Sequence, residues 1–163
     1  MRRFIGLVAV FTLLVPAGMT LLEACGAKFL VATGSALWQR SQRSRHPASI
    51  LVYQHSRDAE VVEFVAKLRT MLTAMGHHVT VADGPQALSD ASAGNFNLVM
   101  LELDEARRLK TSIESKLPNA AILPMDALVT QPVIARAKQD FGRMLVLPAT
   151  SREVFSTVEA AYR

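Results

Sequence analysis

Three side chains in this sequence could meet and do chemistry. His55, Glu102 and Asp126 stand at or just past the ends of three short apolar runs, Ile50–Tyr53, Leu98–Leu101 and Ala120–Met125. One imidazole and two carboxylates make a nitrogen–oxygen donor set that suits a divalent transition metal, so a small hydrolase or other metal-dependent enzyme could use them. The alternative is a solvated polar rim. His77 and His78 stand at a helix-to-strand turn and read as surface histidines, since two adjacent imidazoles bind little on their own. Cys25 is the only cysteine, which rules out an internal disulfide and a cysteine metal cluster. There is no Gly-rich phosphate loop, no G-x-S-x-G and no Cys-His pair.

The elements that must position these groups are legible from the pattern. Leu98–Leu101 is a continuous apolar run, too short for a helix, and it reads as a strand buried on both faces of a parallel sheet. Ile50–Tyr53 is a first strand. Val61, Val62, Phe64, Val65, Leu68, Leu72 and Met75 recur at helical spacing, with Ser56 or Asp58 as cap and Gly76 as the closing C′ residue. His78–Ala82 alternates as a second strand. Asp83-Gly84-Pro85 turns into a helix carrying Ala87, Leu88 and Ala91, and Gly94 ends it. The run at Leu98 is the third strand, and Glu105–Leu117 the next helix, with a solvated basic face at Arg107, Arg108 and Lys110. Ala120–Met125 is the fourth strand, followed by a helix from Pro132 to Phe141 that closes at Gly142. Met144–Leu147 is the fifth strand, and Thr150 with Glu153 forms a capping-box pattern for a last helix, Ser151–Tyr162.

Strict alternation of five strands and five helices predicts an α/β fold, a doubly wound (βα)5 parallel sheet covered on both faces. Right-handed crossovers with one reversal of winding give strand order 2-1-3-4-5 and a crevice between the ends of the first and third strands. Glu102 stands at that carboxyl edge.

Charge separates the chain into parts. Arg2, Arg3, Lys28, Arg40, Arg43 and Arg45 precede residue 46 against one acid, Glu23, while 12 basic and 13 acidic residues follow from Pro47 on. The high pI therefore belongs to an N-terminal arm. Met1-Arg2-Arg3 is a positive n-region, and Phe4–Leu22 is an apolar stretch with Pro16 and Gly18 in its second half. These features favour a cleaved signal peptide over a membrane-spanning anchor. Residues 1–24 are assigned to that signal or anchor, 25–47 to a basic tether with some local structure, and 48–163 to a globular domain. Trp38 could pack on the domain or lie at a lipid interface. The near-neutral domain carries no basic footprint for nucleic acid, and a basic arm beside an apolar segment suits an anionic membrane surface.

Two resemblances add to this reading. Leu22-Glu23-Ala24-Cys25-Gly26 resembles a bacterial lipobox, which implies lipidation of Cys25; Glu23 departs from the pattern. From about Ser49 to Arg163 the chain resembles the receiver (CheY-like, flavodoxin-like) domain of two-component response regulators. Ile50-Leu51-Val52-Tyr53 sits where that family has its first strand, Asn97–Glu102 where a strand delivers the phosphoaccepting aspartate, and Leu147-Pro148 where it has a Lys-Pro pair. The resemblance puts the family's acidic pair on Gln54 and His55, the acceptor aspartate on Glu102, the hydroxyl residue on Asp126 and the lysine on Leu147. Phosphoryl transfer needs an in-line carboxylate and cations on the transferred oxygens, and Mg²⁺ wants several oxygens held octahedrally. The five positions thus form a degenerate pocket, in which Glu102 could imitate a phosphorylated aspartate or be a solvated rim carboxylate.

The expectation is a non-catalytic pseudo-receiver binding module with no cofactor. It would be lipid-anchored in the bacterial envelope and face the periplasm, with membrane lipid at its N-terminus, a protein partner and no nucleic acid. The family commonly uses the face of the fourth helix, fifth strand and fifth helix for partners, here parts of 130–143 and 151–163. Two alternatives remain: a metal-dependent enzyme at the sheet edge, and a receiver-like regulator anchored at the cytoplasmic face of the inner membrane.

Overall fold

The computed structural model of the chain describes residues 31–32, 43–91, 93–127 and 129–163. The signal or anchor segment, Cys25 and Trp38 lie outside the described residues. Along the chain come β1 (Val31–Ala32), β2 (Ser49–Gln54), α1 (Ala59–Ala74), β3 (His78–Asp83) and α2 (Gly84–Ala91). There follow β4 (Leu98–Glu102), α3 (Leu103–Lys116), β5 (Ala121–Ala127), α4 (Gln131–Phe141), β6 (Leu145–Leu147), β7 (Ala149–Thr150) and α5 (Ser151–Ala161).

The sheet is wholly parallel, in order β3-β2-β4-β5-β6. Counting only its own strands, this is the expected 2-1-3-4-5. Side chains alternate across it. Ile50, Val52, Leu98 and Met100 face α1 and α5, where they meet Phe64, Leu68, Leu72, Val154 and Val158. Leu51, Tyr53, Val99 and Leu101 face α2 and α3, where they meet Leu88, Ala106 and Ile113. Leu98, Val99, Met100 and Leu101 are wholly buried, so β4 is the strand with both faces in the core. Each such side chain contributes about 1.5–3 kcal/mol by leaving water. α4 packs through Ala137 on Leu103 and Met144.

The helix ends follow their local chemistry. Gly76 has φ +95°, its N–H reaches the Thr73 carbonyl at 2.9 Å, and the His77 N–H reaches the Leu72 carbonyl at 3.1 Å. This paired closure is a Schellman motif, which needs a residue free to adopt positive φ. The capping box of α5 is complete, with the Glu153 N–H donating to Thr150 Oγ1 at 3.3 Å and the Thr150 N–H donating to Glu153 Oε2 at 2.7 Å. Asp58 occupies the N-cap position of α1 without capping it. Its carboxylate instead takes the Ser56 hydroxyl at 2.5 Å.

Four details differ from the sequence expectation. β4 passes directly into α3, which starts at Leu103 rather than Glu105, because Glu102 at the N-cap is extended (φ −62°, ψ 148°) and needs no loop after it. β5 runs on to Ala127, since Asp126 and Ala127 pair with Val146 and Leu147. Asp126 therefore lies within β5 rather than beyond its end. β7 follows β6 after Pro148 and pairs in parallel with β1. Contacts with the domain also begin before residue 48: the Ser44 N–H donates to the Met75 carbonyl at 2.8 Å, and the Tyr162 hydroxyl to the His46 carbonyl at 2.9 Å. Among the described residues no helix is long and apolar enough to cross a membrane.

Candidate functional site

Adjacent parallel strands bring the ends of β2 and β4 together, with Val52 opposite Met100. Continuing that register sets Gln54 and His55 beside Glu102. Gln54 is buried. His55 Nε2 lies 3.1 Å from Glu102 Oε2, each side chain about a third exposed (31% and 32%). Burial is the largest influence on the Glu102 carboxyl and pushes it above the usual carboxylate range. Asp126, Asp104 and Glu105 push the same way, and His55 opposes them.

Asp126 joins this corner by charge more than by contact. Its Oδ1 accepts the Ala127 N–H at 2.7 Å. Its carboxyl is also raised, chiefly by burial, and the Ala127 hydrogen bond pulls it down. Among the described residues no three of His, Cys, Asp and Glu are grouped to hold a metal. The three-residue metal reading of His55, Glu102 and Asp126 thus reduces to a His–Glu pair with a neighbouring carboxylate.

Leu147 brings no cation to this corner. It is buried at 2% exposure among the residues under α1 and α5, with Leu145, Ala149 and Val154, and its bond to Pro148 is cis. Between the pair and α1 lies a hollow of about 20 Å³, lined by Tyr53, His55, Phe64, Val65, Glu102 and Met125. That is room for roughly one water. On the far side Arg108 pairs with Glu105 and meets the buried Tyr53 hydroxyl. Arg107 and Arg108 are exposed, as the expected solvated basic face requires.

A second polar group lies at the opposite edge, where one of the two histidines expected at the surface turns inward. His77 is buried, while His78 is exposed. As the residue after Gly76 it occupies the position that packs back on its helix in a Schellman motif; that was the available signal. Its Nδ1 accepts the Ala48 N–H at 3.2 Å, and its ring meets Tyr162 edge-on at 6.0 Å. Glu159, also buried, accepts the Tyr162 hydroxyl at 2.7 Å and pairs with Arg163.

The fold is that of the receiver domains. The chain is similar to a response regulator from Burkholderia pseudomallei, whose crystal structure holds a phosphorylated aspartic acid, a calcium ion and citrate. The TM-score is 0.53 at 23% identity, over 71% of this chain and 66% of that one, a little under two thirds of its length. No family model matches the chain, and no curated protein matches it.

Proposed function

We propose that the protein is a membrane-tethered pseudo-receiver, a binding module built on the response-regulator scaffold that does not carry out phosphoryl transfer. One observation carries this: at the acceptor position Glu102 is paired with His55, while Leu147, at the lysine position, is buried in the core. The corner is closed by the contact between the His55 imidazole and the Glu102 carboxylate. A phosphoryl group arriving there would meet Glu102, Asp126, Asp104 and Glu105 with no Lys-based charge to offset its oxygens. Gln54 offers one carbonyl to a hard divalent ion that needs several oxygens.

The tether rests on residues 1–24 and the lipobox-like Leu22–Gly26. The reading is of a domain lipidated at Cys25, held in the envelope and facing the periplasm, with a protein partner on the α4, β6 and α5 face. The runner-up topology is an uncleaved helix with the domain at the cytoplasmic side. Incubation with acetyl phosphate and Mg²⁺, followed by mass spectrometry, tests the chemistry: the expected result is unmodified protein, and a stoichiometric adduct on Glu102 overturns it. Topology reporters fused after Arg163 decide the side, and capture from solubilised membranes identifies the partner.

A further inference from the structure

The N-terminal arm enters the domain at Ala48, and His77 holds that entry. Ala48 is 1% exposed. Its carbonyl accepts the His78 N–H at 2.9 Å, and its own N–H donates to His77 Nδ1 at 3.2 Å. The Schellman closure of α1 fixes the backbone of His77, so the ring is presented at a set height beneath β2.

A ring nitrogen that accepts a hydrogen bond carries no proton. His77 is therefore a neutral imidazole with its proton on Nε2. That atom is buried, its side chain is 0% exposed, and it has no hydrogen-bond partner. Glu159 Oε1 stands 3.9 Å from it, outside hydrogen-bond range. A second proton could go only to Nδ1, where it would face the Ala48 N–H, donor against donor. Ala48 would then lose its partner in a place water does not reach.

We propose that His77 is an acid-operated clamp at the junction of arm and sheet: neutral, it holds Ala48; protonated, it expels the Ala48 N–H, and the stretch from Ser44 to Ser49 opens.

The groups around the ring set the direction. Burial is the largest influence and keeps His77 below the ordinary imidazole range. His78 in β3 adds to this, and the Glu159 carboxylate in α5 opposes it. Tyr162 and Arg163 at the end of α5 share that carboxylate, and His46 and Ser44 in the arm touch Tyr162. α1 contributes the Leu72 and Met75 carbonyls, which do not titrate. Since the folded state binds this proton less readily than the unfolded one, the clamp is fully in place above the unfolded value of 6.5 and is lost as the pH falls through the lower folded value. The clamp is independent of lipidation and of any partner.

The test is hydrogen exchange of the full-length chain in detergent, at pH 7.5 and 5.0, corrected for intrinsic rates. Peptides covering 43–50 should exchange about five- to tenfold faster at the lower pH, as loss of one buried hydrogen bond implies; peptides covering 98–101 should not change. His77→Gln keeps an acceptor for Ala48 and does not titrate, so the pH effect should vanish in it. Persistence of the effect in His77→Gln would assign it to His46 or His78 and overturn the proposal, as would equal exchange at both pH values in the wild type. Should His77→Gln fail to fold, ring-nitrogen NMR of the wild type decides. The expected result is the Nε2–H tautomer at pH 7.5, with protonation of His77 and loss of the Ala48 amide bond at one midpoint. A His77 already doubly protonated at pH 7.5, or an Ala48 amide unaffected by its protonation, sinks the idea.

Discussion

His55 and Glu102 are paired across the carboxyl ends of β2 and β4, 3.1 Å apart, inside a ring of other carboxylates. The imidazole stands over the side chain that a phosphotransfer reaction would need free. Yet the pairing does not fully offset what burial and Asp126, Asp104 and Glu105 impose on the Glu102 charge.

The first expected outcome concerns that imbalance. Glu102 titrates above its unfolded value of 4.5, so the folded state holds the proton more tightly. Its favourable contribution is complete below that value and is lost as the pH rises through the folded one. Glu102→Gln should therefore stabilise the domain at pH 7, by less than about 1 kcal/mol given the partial exposure of the pair. The gain should disappear below about pH 4. Urea midpoints at the two pH values check this; a variant less stable at pH 7 would mean that the His55 pairing outweighs the burial.

Leu147→Ala should cost about 2–4 kcal/mol of unfolding free energy, as loss of a buried leucine does. Its reactivity toward acetyl phosphate should match the wild type's. A variant with near-native stability would show that Leu147 is a pocket residue and not part of the core.

Tyr162 ties α5 to the arm. Its hydroxyl is pushed up to about 12, chiefly by burial. The raised value means stability present below the unfolded value of 10 and lost as the pH climbs through the folded one. Ultraviolet titration should find a tyrosine step well above pH 10 in wild type that is lost in Tyr162→Phe, while the step of Tyr53, whose hydroxyl burial also raises, remains. That variant should lose about 1 kcal/mol for the hydrogen bonds to His46 and Glu159.

Cys25→Ser should leave a longer precursor, membrane-bound through Phe4–Leu22, with no labelled fatty acid incorporated. Wild type should be shorter and acylated. More than one acyl chain would hold it stably, at about 0.8 kcal/mol per buried CH₂. Identical masses for the two proteins, with Met1 retained, would establish an uncleaved anchor instead.

Much of this fold is written locally. The unbroken Leu98–Leu101 run predicted a strand buried on both faces, Gly76 marked the end of α1, and Thr150 with Glu153 announced α5; each signal spans only a few residues and survived folding. What was missed depends on elements distant in sequence. His77 is buried because the far end of α5 lands on it, bringing Glu159 and Tyr162. Asp126 is in a strand because β6 pairs with it. At the site, the positions of Gln54, His55 and Glu102 followed from strand ends, whereas the choice of His55 over Asp126 as the partner of Glu102 is made by side-chain geometry that no spacing encodes.

The pairing of β1 with β7 has a mechanical side. Val31 and Ala32 lie in parallel with Ala149 and Thr150, and the next described attachments along the chain are Ser44 and His46, then β2. A pull on the N-terminus meets these contacts in series. Of the described contacts, the two-residue ladder takes the load first, the hydrogen bonds of Ser44 and His46 to Met75 and Tyr162 second, the Ala48–His77 hydrogen bond third and β2 last. β2 lies between β3 and β4, so drawing it out means shearing two ladders at once. The weakest of the described links thus stand nearest the point of traction, and they give way before the sheet itself bears the tension.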